Sequence, residues 1–451
     1  MRNALKKTLL AAAAVLIATP AFAETVAIVN ARVETVSAAG AIPSGTVVIK
    51  DGKIVAVGAN VAVPAGARVV DAHGGVVTPG MIAPSSSISV AEVDQIRETR
   101  DDRAGANVSA GFDVSYGVNP ASALIPLARQ TGMTRAVVTP ILGRSNFGED
   151  EESRTADYTA GGAGDGRDPG LFAGQAASVR LTTGDPNPVI KARIAVVLDL
   201  GEDGSGNAGG GRGASLVLVR AALDSARDYS RNRAAYERGA TRDYGLSKVD
   251  LEALVPVVEG RTPLLVRVHR ASDILEALKL ASEYHVKIII EGGEEAWMVA
   301  PELARAGVGV IIDSEADLPR SFETLGSRLD NATRLQAAGV TVAITGARDF
   351  TNLRQERFNA GTAVANGLPY QAALASVTLN PAKIWGMADR VGSIEVGKDA
   401  DLVIWTGDPL ELNTWPVAVF IGGVEQPMTS RGLELRDRYM HAADGMPPGY
   451  H

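Results

Sequence analysis

The sequence contains no cysteine and only five histidines. Without cysteine, the protein has no disulfide bonds, no thiolate nucleophile and no cysteine-bound zinc. Any metal ion must therefore be held by histidine, aspartate or glutamate. A basic excess is also absent, because 52 acidic residues outnumber 44 basic ones. This charge balance argues against nucleic-acid binding.

Long apolar runs are absent too, and the one short run lies near the N-terminus. Residues 1–23 read MRNALKKTLLAAAAVLIATPAFA, in which three basic residues precede the run and Ala21-Phe22-Ala23 offers a cleavage site. This order is typical of a secretory signal peptide. An uncleaved membrane anchor is the alternative, but Leu9 to Ile17 is shorter than the roughly 20 residues that span a bilayer. We therefore expect cleavage before Glu24, export to the periplasm and no membrane span in the mature chain.

Short segments with the alternation of β-strands occur at both ends of the chain. Near the N-terminus they read TVAIVNARVETV, GTVVIKDGKIVAVG and ARVVDAHGGVVTPG. Asp51-Gly52, between TVVIK and KIVAVG, predicts a two-residue hairpin turn. The pattern returns after about Trp385 in GSIEVGKDADLVIWTGDP and AVFIGGVEQ. We expect residues 24–78 and 389–451 to form one composite β-sandwich domain with a C-terminal tail.

Between these ends, apolar strands alternate with helical segments. The strands include TRAVVTPI, ARIAVVLDL, PLLVRVH, VKIIIEGG, VGVIID and VTVAITG. The segment ASDILEALKLASEY has a helical period, and Ser272 or Asp273 is expected to cap it. Its apolar face carries Ile274, Leu278 and Ala281. Such βα repetition predicts an α/β domain with a largely parallel sheet over residues 79–388.

Several long segments resemble the amidohydrolase superfamily, and most closely its imidazolonepropionase-like group. They are GTVVIKDGKIVAVG…ARVVDAHGGVVTPGMI, NPASALIPLARQTGMTRAVVTP, VHRASDILEALKLASEYHVKIIIEGGEEAWMVAPELARAGVGVIID and ALASVTLNPAKIWGMADRVGSIEVGKDADLVIWTGDPL. The resemblance covers nearly all of the mature chain. It implies a distorted (β/α)8 TIM-type barrel with its site at the carboxyl ends of the strands, beside the composite β-sandwich. It also implies a hydrolase of carbon–nitrogen bonds in non-peptide or small cyclic amides.

The resemblance further implies a metal site, from which this chain departs at most positions. The family places His-x-His after the first barrel strand, histidines after the fifth and sixth strands, and an aspartate after the eighth. These positions fall on Ser85, Ser87, His269, Glu291 and Ala347. Only the fifth-strand histidine is kept. A serine hydroxyl is a poor ligand for zinc-like ions compared with imidazole.

Three candidates for catalysis or metal binding remain: His269, Glu291 and Asp349. Each has a structural alternative. In these alternatives, His269 would be a buried neutral histidine bonded to a neighbouring strand, Glu291 would cap the following helix, and Asp349 would pair with nearby arginines. We therefore expect no metal cofactor, and a divalent ion such as zinc only if the three converge. A ligand pocket is expected to be lined by Ser85, Ser87, His269, Glu291 and Ala347.

Two functions remain open. The first is an exported hydrolase that acts on carbon–nitrogen bonds of a small-molecule substrate, although its activity is uncertain with these ligands missing. The second is a non-catalytic binding or scaffolding protein, a pseudoenzyme, which forms homo-oligomers or pairs with an active amidohydrolase relative.

A nicotinamide oxidoreductase is a weaker interpretation. The run Gly204-Ser-Gly206-Asn-Ala-Gly209 follows a predicted strand and matches the Gly-x-Gly-x-x-Gly of dinucleotide sites. A match inside so glycine-rich a segment arises easily by chance. In addition, no acidic residue ends a second strand about 20 residues later, where such a site requires one.

Overall fold

The computed structural model describes residues 24–93, 96–104, 108–142, 170–346 and 350–440. The predicted signal peptide, Ala347 and Asp349 lie outside the described residues. Within them, no helix combines the length and the apolar character needed to cross a bilayer.

Strands from both ends of the chain pair in one eight-stranded sheet. They are β1 (Val26–Glu34), β2 (Ala41–Lys50), β3 (Lys53–Gly58), β4 (Arg68–Asp71), β5 (Val76–Pro79), β14 (Leu402–Trp405), β15 (Pro416–Ile421) and β16 (Val424–Glu425). The order is β16-β15-β14-β5-β1-β2-β3, with β4 beside β1. β5 joins the two ends of the chain, because it pairs with β1 in parallel and with β14 antiparallel. The domain boundaries 24–78, 79–388 and 389–451 stay a prediction.

The β2–β3 hairpin has the turn that Asp51-Gly52 predicts. Both residues have positive φ angles, 53° for Asp51 and 75° for Gly52. Two consecutive positive φ angles define the type I′ turn, whose twist matches that of the paired strands. Ile49 and Ile54 on either side of the turn are buried in the core of this sheet.

Eight further strands form a nearly closed barrel, which confirms the predicted TIM-type fold. They are β6 (Met81–Ser86), β7 (Met133–Val138), β8 (Phe172–Arg180), β9 (Val189–Asp199), β10 (Leu264–Val268), β11 (Ile288–Gly292), β12 (Val310–Asp313) and β13 (Val342–Thr345). The strands pair in chain order, and β13 lies next to β6. The barrel is distorted because β8 runs antiparallel to both β7 and β9. Residues 181–188 between β8 and β9 are too few for a helical crossover, which takes about a dozen.

Eleven α-helices are found among the described residues. They are α1 (Leu124–Arg129), α2 (Glu202–Gly206), α3 (Arg212–Glu237), α4 (Lys248–Val258), α5 (Ala271–Tyr284), α6 (Ala300–Ala306), α7 (Asn331–Ala337), α8 (Glu356–Ala365), α9 (Tyr370–Ser376), α10 (Leu379–Ile384) and α11 (Arg431–Met440). α5 is the helix predicted from ASDILEALKLASEY. The predicted cap was wrong, because Arg270 is the N-cap. The Asp273 carboxylate binds arginine side chains instead.

The alternation along the barrel strands decides which side chains point inwards. Leu265, Ile289 and Ile311 come from neighbouring strands and share one apolar cluster with Trp385. The same cluster contains residues of β7, β8, β9 and β13, and only the interior of the barrel brings residues from opposite strands together. Because every second residue of a strand faces the same side, Arg267 lies on the inner face, one step nearer the carboxyl end than Leu265.

Candidate functional site

His269 follows β10 and forms a close pair with a carboxylate. Its Nδ1 lies 2.5 Å from Oε2 of Glu294, and its Nε2 lies 3.8 Å from Oε1 of Glu323. Burial lowers the pKa of His269, but Glu294, Glu323 and Asp199 raise it, and the net change is upward. The pKa of Glu294 is lowered, because its bond to His269 outweighs the effect of burial. His269 is therefore bonded to the side chain of Glu294, which follows the neighbouring strand β11, and the interpretation of it as a neutral histidine stays a prediction.

Glu291 lies in β11 and binds an arginine inside the barrel. Its Oε2 accepts a hydrogen bond from Nε of Arg267 at 2.8 Å, and Nη1 of Arg267 lies 3.5 Å from Oδ2 of Asp199. The strand register explains this arrangement, since Arg267 is the direct partner of Glu291 on one side and of Asp199 on the other. Glu291 is thus part of a buried ion network, and the interpretation of it as a helix cap was wrong.

Arg267 keeps its positive charge in this setting. Burial lowers its pKa, but the charges of Glu291 and Asp199 raise it, and the net change is upward. Neither Arg267 nor Asp199 was among the residues predicted for the site. The signal was present in PLLVRVH, where an arginine interrupts an apolar strand two positions before His269 and therefore on the same face.

The serines at the end of β6 are buried and bonded locally. Oγ of Ser85 lies 2.8 Å from Oγ1 of Thr139, which follows β7. The backbone oxygen of Ser87 accepts hydrogen bonds from the next turn of chain, including one from the N–H of Ala91 at 3.0 Å. The hydroxyl group of Ser85 is therefore tied to the residue that follows β7, in a segment where the sequence resemblance implies imidazoles.

The glycine-rich stretch after β9 is not a dinucleotide site. It forms α2 and a turn that leads into α3. Oε2 of Glu323 accepts a hydrogen bond from the N–H of Glu202, at the start of α2, at 2.9 Å. A carboxylate therefore covers the helix end where a dinucleotide phosphate would bind. Gly204 is needed here for packing, because a Cβ atom would lie only 2.0 Å from the carbonyl oxygen of Asp199.

A cavity of about 460 Å³ lies elsewhere, at the amino end of the barrel strands. It opens between α1, the β8–β9 turn and the start of α11, and Ile125, Pro186 and Arg431 are among its lining residues. None of the residues predicted for the site lines it.

Comparisons with known proteins agree with this architecture. Residues 222–426 match the amidohydrolase family. An amidohydrolase from Thermotoga maritima MSB8 has a TM-score of 0.75 and 25% identity over 89% of this chain and 99% of that chain. An adenosine deaminase from Xanthomonas campestris, solved with bound zinc, has a TM-score of 0.50 and 16% identity over 91% of this chain and 96% of that chain. Residues 222–426 therefore match an amidohydrolase family domain, and the chain shares its fold with a solved amidohydrolase.

A curated relative matches over a shorter stretch. The 5-methylthioadenosine/S-adenosylhomocysteine deaminase of Desulforudis audaxviator is 37% identical over 113 residues, which are 23% of this chain and 25% of the deaminase. The chain spans a quarter or less of the length of the curated relatives compared.

Amidohydrolases typically use a divalent metal ion, and the donors in the described part of the chain do not fit one. Among the described residues, no group of three or more histidine, aspartate or glutamate side chains is arranged to hold a metal. Only Nε2 of His269 is left to coordinate an ion, because Nδ1 is bonded to Glu294, and the Glu291 carboxylate is bound by a guanidinium. By the sequence resemblance, two positions of the family site fall on Ser85 and Ser87, whose hydroxyl groups are poor ligands for zinc-like ions.

Proposed function

We propose that this protein binds a small molecule with an amide or related carbon–nitrogen bond at the carboxyl end of its barrel, without hydrolysing it through a bound metal ion. The family domain and the barrel fold support the ligand class. The absence of metal chemistry is supported by one observation above all. Ser85 and Ser87 stand where the family has its first two imidazoles, and Ser85 is bonded to Thr139.

The residues present suit recognition of a polar, uncharged group. Hydroxyl groups such as that of Ser85 both donate and accept hydrogen bonds, as the N–H and C=O of an amide require. The ring of His269 is partly exposed, with 29% of the side chain accessible. Its Nε2 can donate to a ligand carbonyl oxygen while Glu294 holds Nδ1. Metal-bound hydroxide, which the family uses to attack an amide, needs a metal that these side chains do not hold.

The test measures metal content, ligand binding and hydrolysis on the same preparation. The mature protein, purified without chelator, is assayed for zinc per chain and titrated with cyclic imides, N-acyl amino acids and dipeptides. We expect binding without tightly held metal and without chelator-sensitive hydrolysis. His269→Gln should weaken binding about 10-fold, as the loss of one hydrogen bond to a charged group does. His285→Gln, which changes a histidine beyond α5, serves as the matched control.

Tightly held metal at about one equivalent per chain, or hydrolysis that a chelator abolishes, would show that this proposal is wrong. The same assays reveal where binding takes place. If His285→Gln weakens binding as much as His269→Gln does, the ligand does not bind at the carboxyl end of the barrel.

Hydrolysis without a metal is the second candidate, favoured by the 2.5 Å pair between His269 and Glu294. In this function Nε2 of His269 takes a proton from the water that attacks the amide carbon. It then gives that proton to the leaving nitrogen as the carbon–nitrogen bond breaks, so that a carboxylic acid and an amine are released. The chelator-insensitive rate would then fall in both His269→Gln and Glu294→Gln. No detectable rate in the wild type removes this candidate.

Export to the periplasm is a further proposal, supported by the composition of residues 1–23. Mass spectrometry of the protein from its native host should find an N-terminus at Glu24, whereas intact Met1 on a cytoplasmic pool would contradict export.

We also propose that the mature chain forms homo-oligomers or pairs with an active amidohydrolase relative. Light scattering and co-purification from the native host test this assembly, and a monomer without a partner would exclude it.

A further inference from the structure

A buried positive charge lies inside the barrel near its carboxyl end. The side chain of Arg267 is only 9% exposed. Its Nε and Nη1 face Glu291 and Asp199, and its Nη2 has no hydrogen-bond partner among the described residues. The guanidinium therefore lies between two carboxylates on neighbouring strands, with one donor left over.

We propose that Arg267 is a built-in cation that replaces the metal ion of this family, and that it excludes a divalent ion even where histidines are present. The inference rests on the proposed function in one respect, since both describe a site without metal. Its physical basis is charge. Like charges repel strongly in a buried site of low dielectric, so a divalent ion at Glu291 would be repelled by the guanidinium. The ion would also gain little from carboxylates that Arg267 already neutralises.

The same geometry predicts what the site becomes without Arg267. Glu291 and Asp199 are the strand partners of residue 267, and His269 lies two positions further along the same face. Asp199 is also close enough to His269 to raise the pKa of its ring. Removal of the guanidinium would leave two buried carboxylates and one imidazole on three adjacent strand ends. Carboxylate and imidazole are ligands that zinc accepts.

The experiment separates the effect of the serines from that of the arginine. Four full-length proteins are compared: the wild type, a dihistidine variant (Ser85→His/Ser87→His), Arg267→Gln, and the combination of the two. Zinc per chain is measured after dialysis, and Co²⁺ absorption reports whether a coordinated site forms. We expect no tight zinc in the two proteins that keep Arg267. Those without it should bind zinc at least about 100-fold more tightly, since even residues behind the ligands change metal affinity about 10- to 100-fold.

Arg135 provides a matched control. It is a second buried arginine between two carboxylates, with Nε 2.6 Å from Asp401 and Nη2 3.0 Å from Asp399, but it lies away from the barrel mouth. Arg135→Gln should gain no zinc and show no Co²⁺ spectrum. Equal zinc uptake by Arg135→Gln and Arg267→Gln would mean that any pair of freed carboxylates suffices, which contradicts a specific site.

Other outcomes also decide the proposal. If the dihistidine variant binds zinc equally well with and without Arg267, or if the wild type holds one equivalent, the proposal is wrong. A wild type that binds amides without metal, beside a dihistidine variant that takes up zinc, would overturn this inference and leave the proposed function standing.

If Arg267→Gln does not fold, Asp199→Asn is added to the combined variant to restore the charge balance. That protein should still bind zinc, and its failure to do so counts against the proposal.

Discussion

At the scale of single residues, buried charges distinguish this protein from an ordinary barrel. Glu356, the first residue of α8, is fully buried, and neither of its carboxyl oxygens has a hydrogen-bond partner among the described residues. Burial raises its pKa well above the ordinary value, and the nearby N–H of Gly346 offsets only part of that change. Such surroundings favour the neutral form of the carboxyl group.

We expect the substitution Glu356→Gln to stabilise the folded protein by an amount that depends on pH. The folded-state pKa of Glu356 lies above the unfolded-state value of about 4.3. Compared with Glu356→Gln, the wild type is therefore most stable at a pH below the unfolded-state pKa. Its stability falls as the pH rises towards the folded-state pKa. We expect the variant to be more stable at pH 7 by about 1 to 3 kcal/mol, because the wild-type carboxylate must take up a proton on folding whereas Gln does not ionise.

Urea unfolding at pH 5 and pH 8 measures the difference. Glu283→Gln, which changes a half-exposed carboxylate paired with Arg220, should alter stability little at either pH. A stability difference for Glu356→Gln that stays the same at pH 5 and pH 8 would contradict the assignment of a raised pKa.

At the scale of elements, turns and strand ends hold the sheet in register. The β2–β3 turn packs against the β15–β16 turn, because a Cβ atom on Gly52 would lie 2.8 Å from the carbonyl oxygen of Gly422. Gly52 also has a positive φ of 75°. The glycine thus satisfies two requirements, one of conformation and one of space.

Gly52→Ala should therefore destabilise the protein by more than the conformational cost alone. A left-handed conformation costs an L-residue about 1–2 kcal/mol. Gly66→Ala is the matched control, because Gly66 has a φ of 79° but a Cβ atom at this position would meet no atom of another part of the chain within 4 Å. Chemical denaturation of both variants measures the two costs. If Gly66→Ala loses as much stability as Gly52→Ala, the contact with Gly422 contributes nothing.

At the scale of the whole molecule, one buried arginine connects the barrel to the sheet. Arg135 on β7 binds both Asp399 and Asp401, which lie just before β14. Asp399 also binds Lys53 and Arg390. Burial raises the pKa of Asp399, but its bond to Lys53 and the charges of Arg135 and Arg390 lower it, and the net change is downward.

This connection predicts acid sensitivity. The folded-state pKa of Asp399 lies below the unfolded-state value of about 3.9. The contribution of Asp399 to stability is therefore complete above the unfolded-state pKa, and it is lost as the pH falls through the folded-state pKa. Arg135→Met should cost about 3 to 5 kcal/mol at pH 7, as breaking a buried ion pair does. It should also flatten the loss of stability between pH 4 and pH 2, relative to the wild type.

Thermal unfolding across pH 2 to 7 tests both parts of this prediction. Arg220→Met removes an arginine that is only partly buried and pairs with the half-exposed Glu283, and it should leave the acid-induced loss unchanged. An Arg135→Met protein with the full acid-induced loss of the wild type would show that the Asp399 network does not cause it.

The sequence by itself determined the parts of this protein that depend on local pattern. Alternating apolar residues predicted strands at both ends, Asp51-Gly52 predicted a hairpin turn, and ASDILEALKLASEY predicted a helix. These features follow from a few consecutive residues, so no knowledge of distant contacts is required. The long resemblance to amidohydrolases supplied the barrel and marked Ser85 and Ser87 as departures from the family site.

Only the tertiary structure decided what those departures mean. Arg267 meets Glu291 from 24 residues away and Asp199 from 68 residues away. His269 takes Glu294 as its partner, and Glu323 covers the start of α2 from a distant loop. Each of these contacts depends on strand register and barrel closure, which bring distant residues to one edge of the sheet. The charge that occupies the barrel is therefore a property of the closed fold, and no single segment of the sequence contains it.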